Sequence, residues 1–298
     1  MKIKPREIPL HIMILPSVIL VGIFSYIPMY GIKIAFQKFI PAFGFFGPQK
    51  WVGLENFRYV MAMPNTFDVV RNTLFIAIWK IVLGLIVPIV FALLLGELRT
   101  VRYKRVIQTV VYFPHFLSWV IMAGILLDLL SSQYGLVNEL IKFLGGEPIF
   151  FLGDKQWFPK TIIVSNVWKN FGYRSVVYSA AMLSVDRNLY EAAAIDGAGR
   201  FRQVLHVTLP GMLMVIVLMT VLSLGDVLNA GFDQIFNLIN PLVFETGDII
   251  DTLVYRMGLL QAQFGPATAV GLFKSGVSFV LITSSYWIAY RVFNYRIF

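Results

Sequence analysis

Six apolar stretches, near residues 9–36, 73–96, 106–130, 161–184, 211–232 and 267–290, dominate the chain. Each supplies the roughly 20 residues that an α-helix needs to cross a hydrocarbon core. Inside lipid every backbone N–H and C=O must be paired within the protein, so apolar runs of this length can span only as helices. The expectation is an all-α integral membrane protein with six transmembrane helices, forming one domain over residues 1–298. Composition agrees: 58% of the residues are hydrophobic and 14% charged, whereas a soluble domain carries about 25% charged residues. The first stretch is too long for a signal-peptide core and lacks a small-residue cleavage site, so it is read as retained.

Charge placement sets the orientation. One side receives Lys2, Lys4, Arg6, Arg99, Arg102, Lys104, Arg105, Arg187, Arg200, Arg202, Arg291 and Arg296, against the acids Glu7, Glu97, Asp186, Glu191 and Asp196. The other side has nearly balanced charge. Lys and Arg collect in short cytoplasmic loops, which places both termini in the cytoplasm. The net charge of +9 is therefore a topology signal, and no nucleic-acid partner is expected. The fourth stretch is the weakest, because Lys169, Asn170 and Arg174 interrupt it. An ionisable group at mid-membrane costs about 2.5–3.5 kcal/mol on insertion scales, which Ile162, Ile163, Val164, Val176 and Val177 can offset.

Chemistry of the enzymatic kind has no foothold. There is no cysteine, hence no disulfide framework and no thiol nucleophile. His11, His115 and His206 are too scattered for a metal site. A phosphate-cradling loop needs G-x-x-x-x-G-K-[ST], and the nearest approach, Gly271-Leu-Phe-Lys274-Ser275, has the wrong spacing. The chain is expected to be no enzyme and to hold no cofactor. Three outer segments, 37–72, 133–160 and 233–266, are rich in Gly, Pro and aromatics, which fits a surface that receives a partner or lines an entrance.

The cytoplasmic stretch from Ser184 to Pro210 is the most informative. Asp186 can cap a helix, strong helix formers follow through Asp196, and Gly197 can end that helix in a left-handed conformation. Small side chains at Ala192, Ala193 and Ala198 admit a close-packed surface, and Glu191 offers a carboxylate to a partner's Arg or Lys. An interfacial helix without a partner would satisfy the same pattern.

Glu191-Ala192-Ala193-x-x-Asp196-Gly197-Ala198, followed by Phe201 and Thr208-Leu-Pro210, resembles the EAA loop of ATP-binding-cassette importer permeases. The resemblance extends through Asn72-Thr73, Phe113-Pro-His-Phe-Leu-Ser-Trp119, Gly135-Leu-Val-Asn138, Phe232-Asp-Gln-Ile-Phe-Asn-Leu-Ile-Asn-Pro241, Asp251-Thr-Leu-Val-Tyr-Arg256 and Ala269-Val-Gly-Leu-Phe-Lys274 to the oligosaccharide branch, including alginate- and pectin-fragment importers. It implies a type I permease fold in a bacterial cytoplasmic membrane. It also implies a second related permease as heterodimer partner, two ATPase subunits that bind ATP and Mg, and an extracytoplasmic solute-binding protein. Glu191 is then the polar anchor to the ATPase, Gly197 the turn, and Ala192, Ala193 and Ala198 close-packing positions within a coupling set that includes Asp196. Tyr286 stands where relatives often carry Asn.

Lys80, Asp128, Lys169, Arg174, Asp226, Asp233 and Lys274 fall in or at the ends of apolar stretches, and their cost in lipid demands a cavity, a partner or an interface. Substrate-path candidates are Lys169, Arg174 and Lys274, with Trp168, Tyr173, Asn166, Asn229 and Gln234 as stacking or hydroxyl partners. The positive sign suits an anionic cargo such as a uronic-acid oligosaccharide, since a guanidinium grips carboxylates bidentately. The competing reading is a secondary transporter or channel that works without an ATPase.

Overall fold

A computed structural model describes residues 8–225 and 227–293. Lys2, Lys4, Arg6, Glu7 and Arg296, which enter the orientation argument, and Asp226 lie outside the described residues. Three helices, Pro9–Phe36, Thr66–Gly96 and Phe264–Ser284, are long and apolar enough to cross a membrane. Two bent pairs raise the number to five if each is one span: Val101–Phe116 with Trp119–Leu129, bent by 106°, and Arg200–Gly211 with Leu213–Gly225, bent by 62°. The helix Trp157–Leu183 has the length, 27 residues, but Asn166, Lys169, Asn170 and Arg174 dilute its apolar character. A short antiparallel ribbon, Gln37–Lys38 against Lys50–Trp51, is the one departure from all-α among the described residues.

The bend inside 106–130 has a local cause. Pro114 lacks the N–H that would continue the helix, and Phe113–Phe116 tightens into a 3-10 turn. Leu117 is then extended, and the Ser118 hydroxyl restarts the helix by accepting from the Ile121 N–H at 3.3 Å. Prolines act differently elsewhere. A π-helical turn spans Gly22–Tyr26, two residues before Pro28, and another spans Val204–Thr208, two residues before Pro210.

Backbone contacts divide the chain into two compact units. The first runs to Thr66 and includes Leu253–Phe273. Its long helix has an apolar window of which 0% is buried within the chain, so lipid or another polypeptide must cover it. Beyond that helix the Phe36 ring stacks on Trp51 at 5.6 Å, and the Asn56 amide donates to the Ala35 and Gln37 carbonyls at 2.9 and 3.0 Å. These contacts hold the ribbon against the Glu55–Ala62 helix.

The second unit comprises Phe67–Thr252 and the chain from Lys274. Its core gathers Ile76, Met122, Phe158, Ile162, Ile235 and Ile249. A smaller cluster joins Ala92, Tyr178, Ala181 and Met212. Gly172 lets the Trp157–Leu183 helix cross the Val101–Phe116 helix closely, since a Cβ there would press on the Val111 carbonyl. Asp128 ends near the C-terminus of its helix and Asp233 lies in the first turn of Phe232–Leu238.

The Gly135–Asn138 stretch has a structural reason. A Cβ at Gly135 would strike the Ser131 and Leu129 backbone. Asn138 is fully buried; its amide donates to the Ser131 and Ile149 carbonyls, both at 3.0 Å, while its oxygen accepts from the Ile149 N–H at 2.7 Å. Asn138→Leu strands those groups at about 1–3 kcal/mol each. The purified protein is expected to melt at a clearly lower temperature, and an unchanged melting curve would contradict the clamp.

Candidate functional site

The stretch after the Trp157–Leu183 helix folds into two short helices joined by a closed turn. Asp186 caps the first by accepting from the Asn188 N–H at 2.9 Å, and the helix runs Arg187–Ile195. Gly197 then takes a φ of +74°, a conformation that carries no side-chain penalty only for glycine. The Ala198 N–H reaches the Ala193 carbonyl at 2.8 Å and the Gly197 N–H reaches the Ala194 carbonyl at 3.1 Å, the paired closure that satisfies the last carbonyls of a helix. The Gln203 amide donates to the Ala198 carbonyl at 3.0 Å, and the Tyr190 and Thr208 hydroxyls bond at 3.0 Å. Arg200 pairs with Glu97.

That framework presents Glu191, Ala192 and Asp196 to solvent, with Ala193 and Ala198 half-buried. Beside them Ile195 is 87% and Phe201 75% exposed, and Leu189 is exposed too. Large apolar side chains held open on a pinned framework suit either a docking partner or a lipid interface. The carboxylate, the small residues and the apolar rim form one patch.

The second feature is a polar centre inside the second unit. Lys80 is buried; its ammonium donates to the Ala230 carbonyl and to Gln234 Oε1, both at 2.6 Å. Gln234 in turn donates to the Ile162 carbonyl at 2.8 Å and the Ser165 hydroxyl at 2.9 Å, and accepts from Asn166 at 3.3 Å. The break between the Leu213–Gly225 and Phe232–Leu238 helices frees the Ala230 carbonyl for this role. Gly231, at φ +95°, folds over the ammonium.

Against this centre lies a cavity of about 280 Å³, lined by Lys80, Asn166, Arg174, Ser223, Asn229 and Gly231 among others. Gly84 makes room for the Arg174 guanidinium, which a Cβ would strike. Lys274 donates to Asn229 Oδ1 at 2.9 Å and pairs with Asp251 at 2.5 Å. Arg174 and Asn229 thus line the cavity, Gln234 braces its wall, and Lys274 holds Asn229 in place. The other three candidates lie elsewhere. Lys169 donates to the His115 carbonyl at 2.7 Å and sits 5.3 Å from the Trp119 ring. Tyr173 stacks on His115 at 4.1 Å, and Trp168 is exposed and outside the lining. Lys80 was visible in the sequence only as an isolated charge. Its i, i+4 spacing to Gly84 marks one helical face and was the signal that could have found it.

Residues 81–294 match the family described as "Binding-protein-dependent transport system inner membrane component". The chain is 44% identical to the polygalacturonan/rhamnogalacturonan transport system permease protein YteP of Bacillus subtilis (strain 168), covering 92% of this chain and 85% of that protein. It is 41% identical to Protein LplB of the same organism, over 95% and 89% respectively. A chain in the crystal structure of a bacterial ABC transporter involved in the import of the acidic polysaccharide alginate superimposes with a TM-score of 0.88, at 35% identity and 96% coverage of both chains. The same values hold for that kind of transporter in complex with an alginate pentasaccharide-bound periplasmic protein.

Gln234→Leu removes the side-chain acceptor from a buried ammonium, and hydrogen bonds to charged groups are worth about 1.5–3 kcal/mol. Thermal unfolding of the purified protein should register a loss of that order. Lys80→Met on the same background should recover most of it, whereas simple additivity of the two changes would dissolve the pairing.

Proposed function

The chain belongs to the family of binding-protein-dependent transport-system inner-membrane components, and on that premise we propose that it forms half the pore of an importer for acidic oligosaccharides. It is a carbohydrate ABC importer permease. The cargo is the finer step. What carries it is the Arg174 guanidinium in the wall of a cavity shared with Asn166 and Asn229. A planar five-donor fork suits a carboxylate, and the two amides suit sugar hydroxyls. The relative named for polygalacturonan and rhamnogalacturonan, both of which contain carboxylate-bearing galacturonate, and the neighbour involved in the import of an acidic polysaccharide support this choice.

In this reading the chain is one multi-pass domain of a bacterial cytoplasmic membrane. It crosses six times with both termini inside, the Trp157–Leu183 helix supplying the fourth crossing because Asn166, Lys169, Asn170 and Arg174 are buried or partly buried within the chain. It pairs with a second, related permease. An extracytoplasmic binding protein delivers the sugar, and two separate ATPase subunits bind ATP with Mg and hydrolyse it. Their motion arrives through the 187–198 patch: Glu191 anchors a partner's cation, Ala192, Ala193 and Ala198 admit close packing, and the turn at Asp196 and Gly197 passes the displacement to the Arg200–Gly211 helix. Family membership favours this cycle over a transporter or channel without an ATPase.

Two experiments test it in proteoliposomes holding the assembled importer. Arg174→Gln is expected to cut uptake of trigalacturonate about tenfold, equivalent to roughly 1.4 kcal/mol, while a neutral trisaccharide accepted by the wild type is much less affected; equal losses sink the charge argument. Gly197→Val forces a β-branched residue into left-handed backbone at about 1–2 kcal/mol. Sugar-stimulated ATP hydrolysis should then fall severalfold with membrane insertion intact, and unaltered stimulation would remove the turn from the mechanism.

A further inference from the structure

The first unit contains a cavity of about 430 Å³, within the roughly 300–1,000 Å³ range of small-molecule sites. Its wall is built by Gln37 and Lys38 of the ribbon, by Phe39 and Val52 just after its two strands, by Glu55, Asn56 and Tyr59 of the following helix, and by residues 262–266. Both stretches fall in segments that the charge pattern assigns to the outer side.

Two of its wall groups are out of balance. Gln37 Oε1 and Gln263 Oε1 are buried with no hydrogen-bond partner. A buried acceptor left unmade costs about 1–3 kcal/mol, and native interiors leave few of them. Among the described residues five buried side-chain atoms are orphaned in this way, so two on one wall is a concentration that asks for a cause. The terminal torsion of glutamine is broad, so either amide swings toward the cavity at little cost. Ala262, in the same wall, has a φ of +53° and is the one non-glycine residue with positive φ among the described residues. It is held there by the Gln263 N–H on the Met257 carbonyl at 2.8 Å and the Gln261 N–H on the Arg256 carbonyl at 3.0 Å. Backbone held in such a conformation clusters at ligand sites.

The remaining lining combines acceptors and aromatic rings with the Lys38 ammonium, which donates to hydroxyl or carboxylate oxygens. The Asn56 donors are spent on the Ala35 and Gln37 carbonyls, which leaves its oxygen as an acceptor. Glu55 adds a carboxylate. Phe39 and Phe264 meet edge to face at 5.7 Å and give an apolar side. Acceptors beside aromatic rings complement a sugar, whose hydroxyls donate and whose C–H faces lie on apolar rings. We propose that this cavity is a second carbohydrate subsite of the permease, taking a pyranose unit of the arriving oligosaccharide through its hydroxyls. The subsite rests on the reading that the chain admits oligosaccharides.

The test uses the assembled importer in nanodiscs, without binding protein, titrated with trigalacturonate and read by saturation-transfer NMR on the ring protons. Leucine in place of an orphaned acceptor relieves its burial cost, so a purely structural role predicts unchanged binding in Gln37→Leu/Gln263→Leu. The subsite predicts that this double variant binds about tenfold more weakly, as loss of two neutral hydrogen bonds implies, with a melting temperature equal to or above that of the wild type. Equal binding overturns the proposal, and so does weaker binding accompanied by a lower melting temperature. Should the double variant fail to assemble, Tyr59→Phe, which alters an exposed phenol, must weaken binding severalfold for the subsite to stand. Wild-type uptake is measured in parallel: uptake with no effect of the variants removes the subsite alone, whereas no oligosaccharide uptake removes the reading beneath it.

Discussion

A lysine ammonium sunk among apolar helices is tolerable only where its protons are spent. Lys80 spends two of its three N–H groups on the Ala230 carbonyl and Gln234, and much of the second unit is arranged to supply those two acceptors. The chain must break between residues 225 and 232 to release a carbonyl. Gly231 must turn left-handed over the ammonium. Gln234 must sit fully buried, with its own donors met by Ile162 and Ser165. A buried polar network is costly when half satisfied and specifying when complete. This one ties the Thr66–Gly96, Trp157–Leu183 and Phe232–Leu238 helices at a single point.

The cavity follows from that tie. Once Lys80 and Gln234 fix three helices, small residues decide what space is left, and Gly84 leaves room for a guanidinium. The protein thus holds two cations with different duties close together. Both line the cavity, but Lys80 is also tied into the fold through the Ala230 carbonyl and Gln234, whereas Gly84 makes room for Arg174.

How much of this was legible in sequence depended on whether the cause was local. Gly197 was readable because helix formers before it and glycine's freedom at positive φ sit within ten residues of one another, and Asp186 was readable as a cap for the same reason. The bend at Pro114 was readable as a kink, because a proline removes a backbone donor; that the run divides there into two helices, the second restarted by the Ser118 hydroxyl, was not, because the apolar run continues unbroken through it. Lys169 and Arg174 read alike as intramembrane cations, yet five residues amount to about 140° around a helix, and they lie in different surroundings. Periodicity could have separated them. Gln37 and Gln263 could not have been paired by any pattern, since more than two hundred residues divide them and only tertiary structure brings them to one wall.

Of the three π-helical turns among the described residues, the two followed by a proline, at Gly22–Tyr26 and Val204–Thr208, carry a geometric consequence. Such a turn holds one residue more than its α counterpart, so everything beyond it is rotated by about 100° and shifted by about 1.5 Å relative to an uninterrupted helix. Each proline two residues downstream has no N–H, which leaves one rung of the ladder empty in either arrangement. A rod with such a discontinuity has two screw registers a single residue apart, and torque applied at its end can be absorbed there as a change of phase instead of being spread along its length.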